Sequence, residues 1–470
     1  MEDKSVVVTK IWSDMFGEKN TKDEDNFFEL GGDSIMALKM SEQLKQKGYT
    51  ISLMEVFDDP TLGGVLEAVK PLNPVAKEQK RSYPATVQQK WFFRKITRER
   101  DAWCEYVIIS PKKPESITPE KVNKFLFEKK LLRNFKMLKN DKGLFFEMSD
   151  EMPALIKLEE GIVTNEIGEK IVKETISLEN GKTCCMIYDG NRNIMIIIHH
   201  LFSDAITLKN ILSAIDNLDE NANFESSLYA EYAWSQYGKY GSDNGDLSYI
   251  EERNKPYESD DVVMISEEDY YETLVDISKE WRVSIESILL LQLYKSIGFL
   301  PKTVIEVERI GRDASGKWDD ICGWLSFSAS FDLSCAENGE QHEMAERIGK
   351  AISGLTFEKD RLDGTESENA LTWNYIGNID VSASFDSFNV KAFGQFNGKS
   401  TGRTTPIYFA VYFKEDKLCC DVNYDSLVYT KEQMKILQKT FLTNVHQLSE
   451  SYNTKRTDEL SSILEVMRGI

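Results

Sequence analysis

His199 and His200 stand side by side, and Asp204 follows four residues after His200. An imidazole titrates near neutrality, so the pair suits proton transfer, and the carboxylate suits fixing the loop or an imidazole tautomer. The chain holds four histidines, and half of them sit in this one string. A second reactive position is Ser34, which follows Gly31-Gly32-Asp33 at the expected start of a helix. The glycines permit a tight turn, and a helix N-terminus stabilises an anionic group attached nearby. Serine is also a common helix cap, so these four residues by themselves leave both roles open.

These residues need elements to hold them. Val7, Val8, Ile11, Trp12 and Met15 recur at spacings of three and four, which predicts an amphipathic helix over residues 3–16, closed by Gly17. Ser34 opens a second helix that runs to Lys47 and is closed by Gly48, and shorter helices fit near 53–57 and 62–69. The reading is a small four-helix bundle over residues 1–70, near the lower size limit for independent folding. Residues 71–84 lack apolar periodicity and read as a linker, which at full extension spans at most ~46–50 Å.

From residue 85 onward, helical and strand patterns alternate. Ile194-Met195-Ile196-Ile197-Ile198 reads as a buried strand that delivers His199 and His200 to its end. Strands are also expected at 304–308 and 406–413, and helices at 208–215, 285–297 and 432–448. This is an α/β pattern of sheets covered by helices. Residues 85–450 exceed one ordinary core, which implies two lobes, 85–255 and 256–450, with a tail at 451–470. Leu460, Ile463, Leu464, Val466 and Met467 make that tail compatible with a short helix.

The net charge of −21 argues against nucleic acid and against an anionic membrane surface, since phosphate binding needs clustered Lys and Arg. The most apolar run is far short of the ~20 residues of a membrane span, and no signal peptide is visible. Seven cysteines in no metal-like spacing point to buried thiols in a cytoplasmic protein, and with four histidines no Cys/His zinc site is expected.

The stretch Asp25-Asn26-Phe27-Phe28-Glu29-Leu30-Gly31-Gly32-Asp33-Ser34-Ile35, with Phe57-Asp58-Asp59-Pro60-Thr61-Leu62 downstream, resembles the core of peptidyl carrier domains in nonribosomal peptide synthetases. That resemblance covers residues 5–70 and implies that Ser34, with Asp33 beside it, carries 4′-phosphopantetheine transferred from coenzyme A. The aspartate before the serine is typical of carriers that precede an epimerisation domain. The histidine string resembles that of condensation-fold domains, whose two lobes are related to chloramphenicol acetyltransferase. Val87-Gln88-Gln89-Lys90-Trp91-Phe92-Phe93, Glu308-Arg309-Ile310-Gly311-Arg312-Asp313, Cys322-Gly323-Trp324-Leu325-Ser326 and Trp373-Asn374-Tyr375-Ile376-Gly377 then resemble epimerisation-domain motifs in the family's order.

The resemblance implies that the chain inverts the Cα of an L-aminoacyl or peptidyl thioester carried on Ser34. It makes Glu308 a proton-transfer base and His200 its opposite-face partner or stabiliser, with His199 and Asp204 in the same string. Asn374 and Tyr375 would hydrogen-bond the thioester oxygen or the enolate. The alternatives are amide formation on the same fold with His200 as base, and a non-catalytic carrier-docking module. The implied partners are a phosphopantetheinyl transferase, an adenylation domain upstream or in trans, and a downstream condensation subunit. Two departures stand out: Ala205 replaces the usual glycine, and Arg309-Ile310 replaces Gly-His after the glutamate. Arg309 would lower the pKa of Glu308 if their charges met.

Overall fold

The computed structural model describes residues 3–17, 21–32, 34–71, 82–96, 98–140, 143–190, 193–218, 229–240, 257–298, 300, 304–312, 318, 321–355, 371–378, 385–397 and 405–468. Asp33, Asp313, the middle of the expected linker and the expected lobe boundary at 255 lie outside the described residues.

Four helices build the N-terminal bundle: Lys4–Phe16, Ser34–Gln46, Leu53–Asp58 and Leu62–Ala68. Each short helix begins at a local signal. Ser52 and Glu55 form a reciprocal capping box, and the Thr61 side chain caps the last helix. Trp12, Phe16, Phe27 and Phe28 pack edge to face around the centre of this bundle. A two-residue pairing of Tyr49–Thr50 with Lys70–Pro71 closes it, so Pro71 is a sheet residue and not part of a loose linker.

Two larger sheets follow. The first runs, edge to edge, through Phe388–Phe396, Cys104–Pro111, Ile194–His199, Cys184–Tyr188 and Ala154–Lys157. Both of its faces are covered, which explains the uninterrupted apolar run at 194–198. Cys184 enters one core and Cys185 the other, as strand alternation requires. All seven cysteines are free thiols. The second sheet runs through Ser259–Asp269, Lys417–Asp425, Ile407–Lys414, Thr372–Asn378, Val304–Arg309 and Phe327–Asp332. One face packs on the helices Ile285–Ser296 and Gln341–Ser353 and on the C-terminal helix. A three-stranded sheet of Ser82–Pro84, Gly143–Met148 and Phe135–Asn140 completes the architecture.

Two features differ from the pattern-based expectation. Strand Phe388–Phe396 lies in the C-terminal half of the chain but pairs with Cys104–Pro111 in the first sheet. It covers an edge that would otherwise stand open, and Phe396 stacks on Tyr106 at 4.5 Å. The helix expected at 432–448 runs unbroken from Lys431 to Arg468, so the tail continues it. Lys455 and Arg456 pair with Glu280 and Asp276 and hold its middle to helix Tyr271–Trp281. Among the described residues, no helix is long and apolar enough to cross a membrane.

Candidate active site

Strand Ile194–His199 ends in a 3₁₀ turn at His200–Phe202 and presents the two histidines to different surroundings. His199 is fully buried. Its Nε2 lies 2.8 Å from the Arg100 carbonyl, and its Nδ1 accepts from the Leu201 amide at 3.1 Å. A carbonyl only accepts, so Nε2 carries the proton and both ring nitrogens are committed to the backbone. Burial, with His200 beside it, pushes the His199 pKa down to about 3 despite the bond to Arg100. A neutral ring with both nitrogens engaged locks the turn.

His200 has the opposite tautomer. Its Nδ1 lies 2.8 Å from the Ser203 carbonyl, so Nδ1 carries the proton and Nε2 keeps the lone pair. The ring sits against Trp324 at 4.8 Å and Trp103 at 5.3 Å.

Asp204 is buried at the start of helix Ala205–Asp216 and caps it through the Thr207 amide at 2.9 Å. Its carboxylate also meets the Arg312 guanidinium and accepts from the Leu325 amide at 3.0 Å and the Ser326 amide at 3.3 Å. Burial pushes the Asp204 carboxyl up, but Arg312 and these amides outweigh it, and its pKa stays below the usual carboxylate value. The residue therefore bolts one lobe to the loop 321–326 of the other. Thr207 adds a second bolt, donating to the Gly323 carbonyl at 3.0 Å and accepting from its amide at 2.9 Å. Gly311 has φ +73, and a Cβ there would fall 1.7 Å from the Leu325 carbonyl oxygen, so only glycine lets the two loops touch.

Glu308 projects from strand Val304–Arg309 on the second sheet. Strand pairing aligns Glu306 with Thr372 and Thr372 with Tyr408, which puts Glu308, Asn374 and Tyr408 on one face. Tyr408 donates to Glu308 Oε2 at 3.2 Å, and Asn374 donates to the Tyr408 oxygen at 2.7 Å. Tyr408 was not singled out by the sequence reading; its signal was the alternation Tyr408, Ala410, Tyr412 among apolar neighbours. Tyr375 is not on this face. It packs with Trp373 against the second core, so it stands apart from the Glu308 cluster. Arg309 also points away from Glu308, pairing with Glu286 at 3.1 Å. Arg312, four residues after Glu308, is bonded to Asp204, four residues after His200. The two strings thus meet where the lobes join.

The N-terminal bundle is seated on this junction. Ile206 is buried in the bundle's own hydrophobic cluster, and Ile310 packs against it. Helix Tyr271–Trp281 completes the seat. A Cβ on Gly31 would lie 2.9 Å from Val275 Cγ1, the Ser278 hydroxyl is 3.3 Å from the Phe28 carbonyl, and Arg282 lies 3.8 Å from Glu29. Both departures noted in the sequence thus border the seat: Ile206 follows Ala205, and Ile310 follows Arg309.

The bundle fits an attached phosphopantetheine. Gly32 packs so closely on Phe27 that a Cβ would fall 2.3 Å from its ring, and Ser34 stands at the first position of the helix. A helix N-terminus at that position suits a phosphodiester. Among the described residues, no group of three His, Cys, Asp or Glu side chains is arranged to hold a metal.

Comparison with known proteins agrees with this architecture. Residues 6–69 match the family model described as a phosphopantetheine attachment site. Surfactin synthase subunit 2 of Bacillus subtilis (strain 168) is 22% identical over 98% of this chain, and bacitracin synthase 3 of Bacillus licheniformis is 21% identical over 95%. The chain spans only 14% and 8% of those two relatives. The crystal structure of the epimerization domain from the third module of tyrocidine synthetase B superposes with a TM-score of 0.62 at 15% identity, covering 81% of this chain and all (100%) of that one. The first condensation domain of the CDA synthetase gives 0.58 at 13% identity over 80% of this chain and 97% of that one. Residues 6–69 are therefore a phosphopantetheine-carrier domain, and the residues that follow share the fold of solved epimerisation and condensation domains.

Proposed function

We propose that the chain inverts the Cα of an L-aminoacyl or peptidyl thioester carried on Ser34. The fold is common to epimerisation and condensation domains, so the choice rests on side chains. The observation that carries the reading is the Glu308–Tyr408–Asn374 chain on one lobe, joined through Arg312 and Asp204 to the loop that holds His200 on the other. Inversion needs a proton removed from one face and returned to the other, and a carboxylate and an imidazole on separate lobes supply both groups. Amide formation needs the imidazole and leaves Glu308 without a task.

The phosphopantetheine arm supplies a thioester, which acidifies the adjacent Cα–H. The chain's own residues do the rest. Glu308 takes or returns the proton at a carboxylate oxygen that Tyr408 orients. His200 presents Nε2, its other nitrogen being held by Ser203. Asn374 acts as a positioning residue through Tyr408. His199 and Asp204 hold the turn and the lobe junction, and Tyr375 belongs to the core. The chain would draw its cofactor from a phosphopantetheinyl transferase, its substrate from an adenylation domain in cis or trans, and pass product to a downstream condensation subunit. Glu308→Gln tests the assignment. Loading of Ser34 and the fold should survive while α-proton exchange is lost. Retained exchange removes Glu308 from the chemistry, and amide formation with a second loaded carrier without stereochemical change moves the reading to condensation.

A further inference from the structure

Glu105 lies in strand Cys104–Pro111, beside the histidine strand, and belongs to none of the motifs discussed above. Its side chain is largely buried, with 13% of its surface exposed. Its Oε1 is 3.8 Å from His200 Nδ1, and its Oε2 accepts from the Ser203 hydroxyl at 2.5 Å. The carbonyl of the same Ser203 accepts from His200 Nδ1 at 2.8 Å. Ser203 is therefore clamped at both ends, by the imidazole through its backbone and by Glu105 through its side chain.

Across the sheet, Glu105 is flanked by the uncharged residues Ile198 and Gln395. The other groups near His200 carry no net charge to it: Trp103 and Trp324 are neutral, His199 is held neutral, and Asp204 is compensated by Arg312. The Glu105 carboxylate is thus the uncompensated charge among the described groups that face the imidazole. Burying a carboxylate here is costly, and burial does push its pKa up, against the pull of His200, Ser203 and Arg312. A fold that tolerates this cost at the edge of the His200 ring must gain something from it.

We propose that Glu105 is the counter-ion and positioning residue of His200: through Ser203 it fixes the Nδ1–H tautomer, and its charge raises the proton affinity of Nε2. The inference deepens the epimerisation reading, since a stronger Nε2 base is what an imidazole partner of Glu308 requires. When a proton arrives at Nε2, the ring becomes cationic with its other N–H still on the Ser203 carbonyl, and the Glu105 carboxylate faces that new charge. A purely structural carboxylate would hold Ser203 and leave the imidazole titration unmoved.

The test reads His200 directly. With four histidines in the chain, ¹⁵N-labelled imidazoles give few signals, and the signal missing from His200→Ala identifies His200. Glu105→Gln keeps the shape and the bond to Ser203 but removes the charge. Its His200 midpoint should fall relative to wild type. The pH profile of α-proton exchange on the loaded holo protein should move acidward by the same amount. Glu105→Asp, which withdraws the carboxylate by one methylene, should shift the midpoint less than Gln and recover part of the rate. This second variant decides the matter if Gln unfolds the lobe. A midpoint unchanged in the folded variants overturns the proposal. Because the titration needs no turnover, a shifted midpoint without any exchange in wild type leaves this inference standing and sinks epimerisation, whereas exchange with an unmoved midpoint does the reverse.

Discussion

Arg312→Met should separate the lobes' junction from the chemistry it supports. In the wild type both partners of the Arg312–Asp204 pair are almost wholly inaccessible, with side-chain exposures of 1% and 3%. Removing one partner of such a pair typically costs 3–5 kcal/mol, because a buried charge is left alone. Asp204 keeps its amide donors from Thr207, Leu325 and Ser326, so the lower part of that range, about 3 kcal/mol, is expected here. The pH dependence carries the sharper signature. In the wild type the Asp204 pKa is depressed, so its contribution is complete above the unfolded value near ~3.9 and is lost only as pH falls through the folded value. Between pH 5 and 7.5 it is flat. Without Arg312 the burial penalty on Asp204 remains and its largest compensation is gone, so the folded pKa rises and the carboxyl takes up a proton on acidification. The deficit of the variant should therefore shrink from pH 7.5 to pH 5. Urea unfolding followed by tryptophan fluorescence at both values measures it, with Arg312→Met/Asp204→Asn closing a double-mutant cycle that should show coupling of about 2 kcal/mol. A deficit below about 1 kcal/mol that does not change with pH would refute the argument that this pair is a buried, charge-compensated bolt.

Other consequences follow from the same geometry. His199, depressed to about 3, contributes stability that is present above the unfolded value near ~6.5 and is lost as pH falls through the window below it. His199→Asn should flatten the acid limb of a thermal-stability profile between pH 6.5 and 4, and an unchanged slope would contradict the buried neutral assignment. Gly311→Ala forces a Cβ into the Leu325 carbonyl and should lower the thermal midpoint and raise amide exchange in the loop 321–326; a wild-type melt would mean the loops yield freely. Ile310→Asp places a charge against the bundle's hydrophobic cluster and should release the carrier domain. NMR relaxation would then show residues 4–68 tumbling faster than the lobes, and unchanged relaxation would remove Ile310 from the seat.

Much of the architecture was legible from short-range pattern. The bundle helices were marked by apolar spacing and by Gly17, and the strand before His199 by an apolar run that needs two covered faces. What escaped depends on register between distant segments. Tyr408 meets Glu308 across 100 residues, Glu105 meets Ser203 across 98, and Arg312 meets Asp204 across 108. No local periodicity encodes such pairings. The strand Phe388–Phe396 was missed for the same reason, since its place in the other lobe's sheet is decided by an edge elsewhere in the chain. Strand alternation separates the two neighbours expected together: Asn374 reaches Glu308 through Tyr408, and Tyr375 turns to the opposite side. Arg309 stands in the same relation to Glu308 and reaches Glu286 instead.

The central claim is tested most directly by converting Ser34 to its phosphopantetheine form, loading an L-aminoacyl group, and incubating in deuterium oxide. Intact mass and chiral analysis of the released residue then report the outcome. One deuterium at Cα, with the D form appearing and both lost in Glu308→Gln, is the predicted result. A series of loaded L-amino acids that keep both their Cα hydrogen and their configuration would contradict epimerisation.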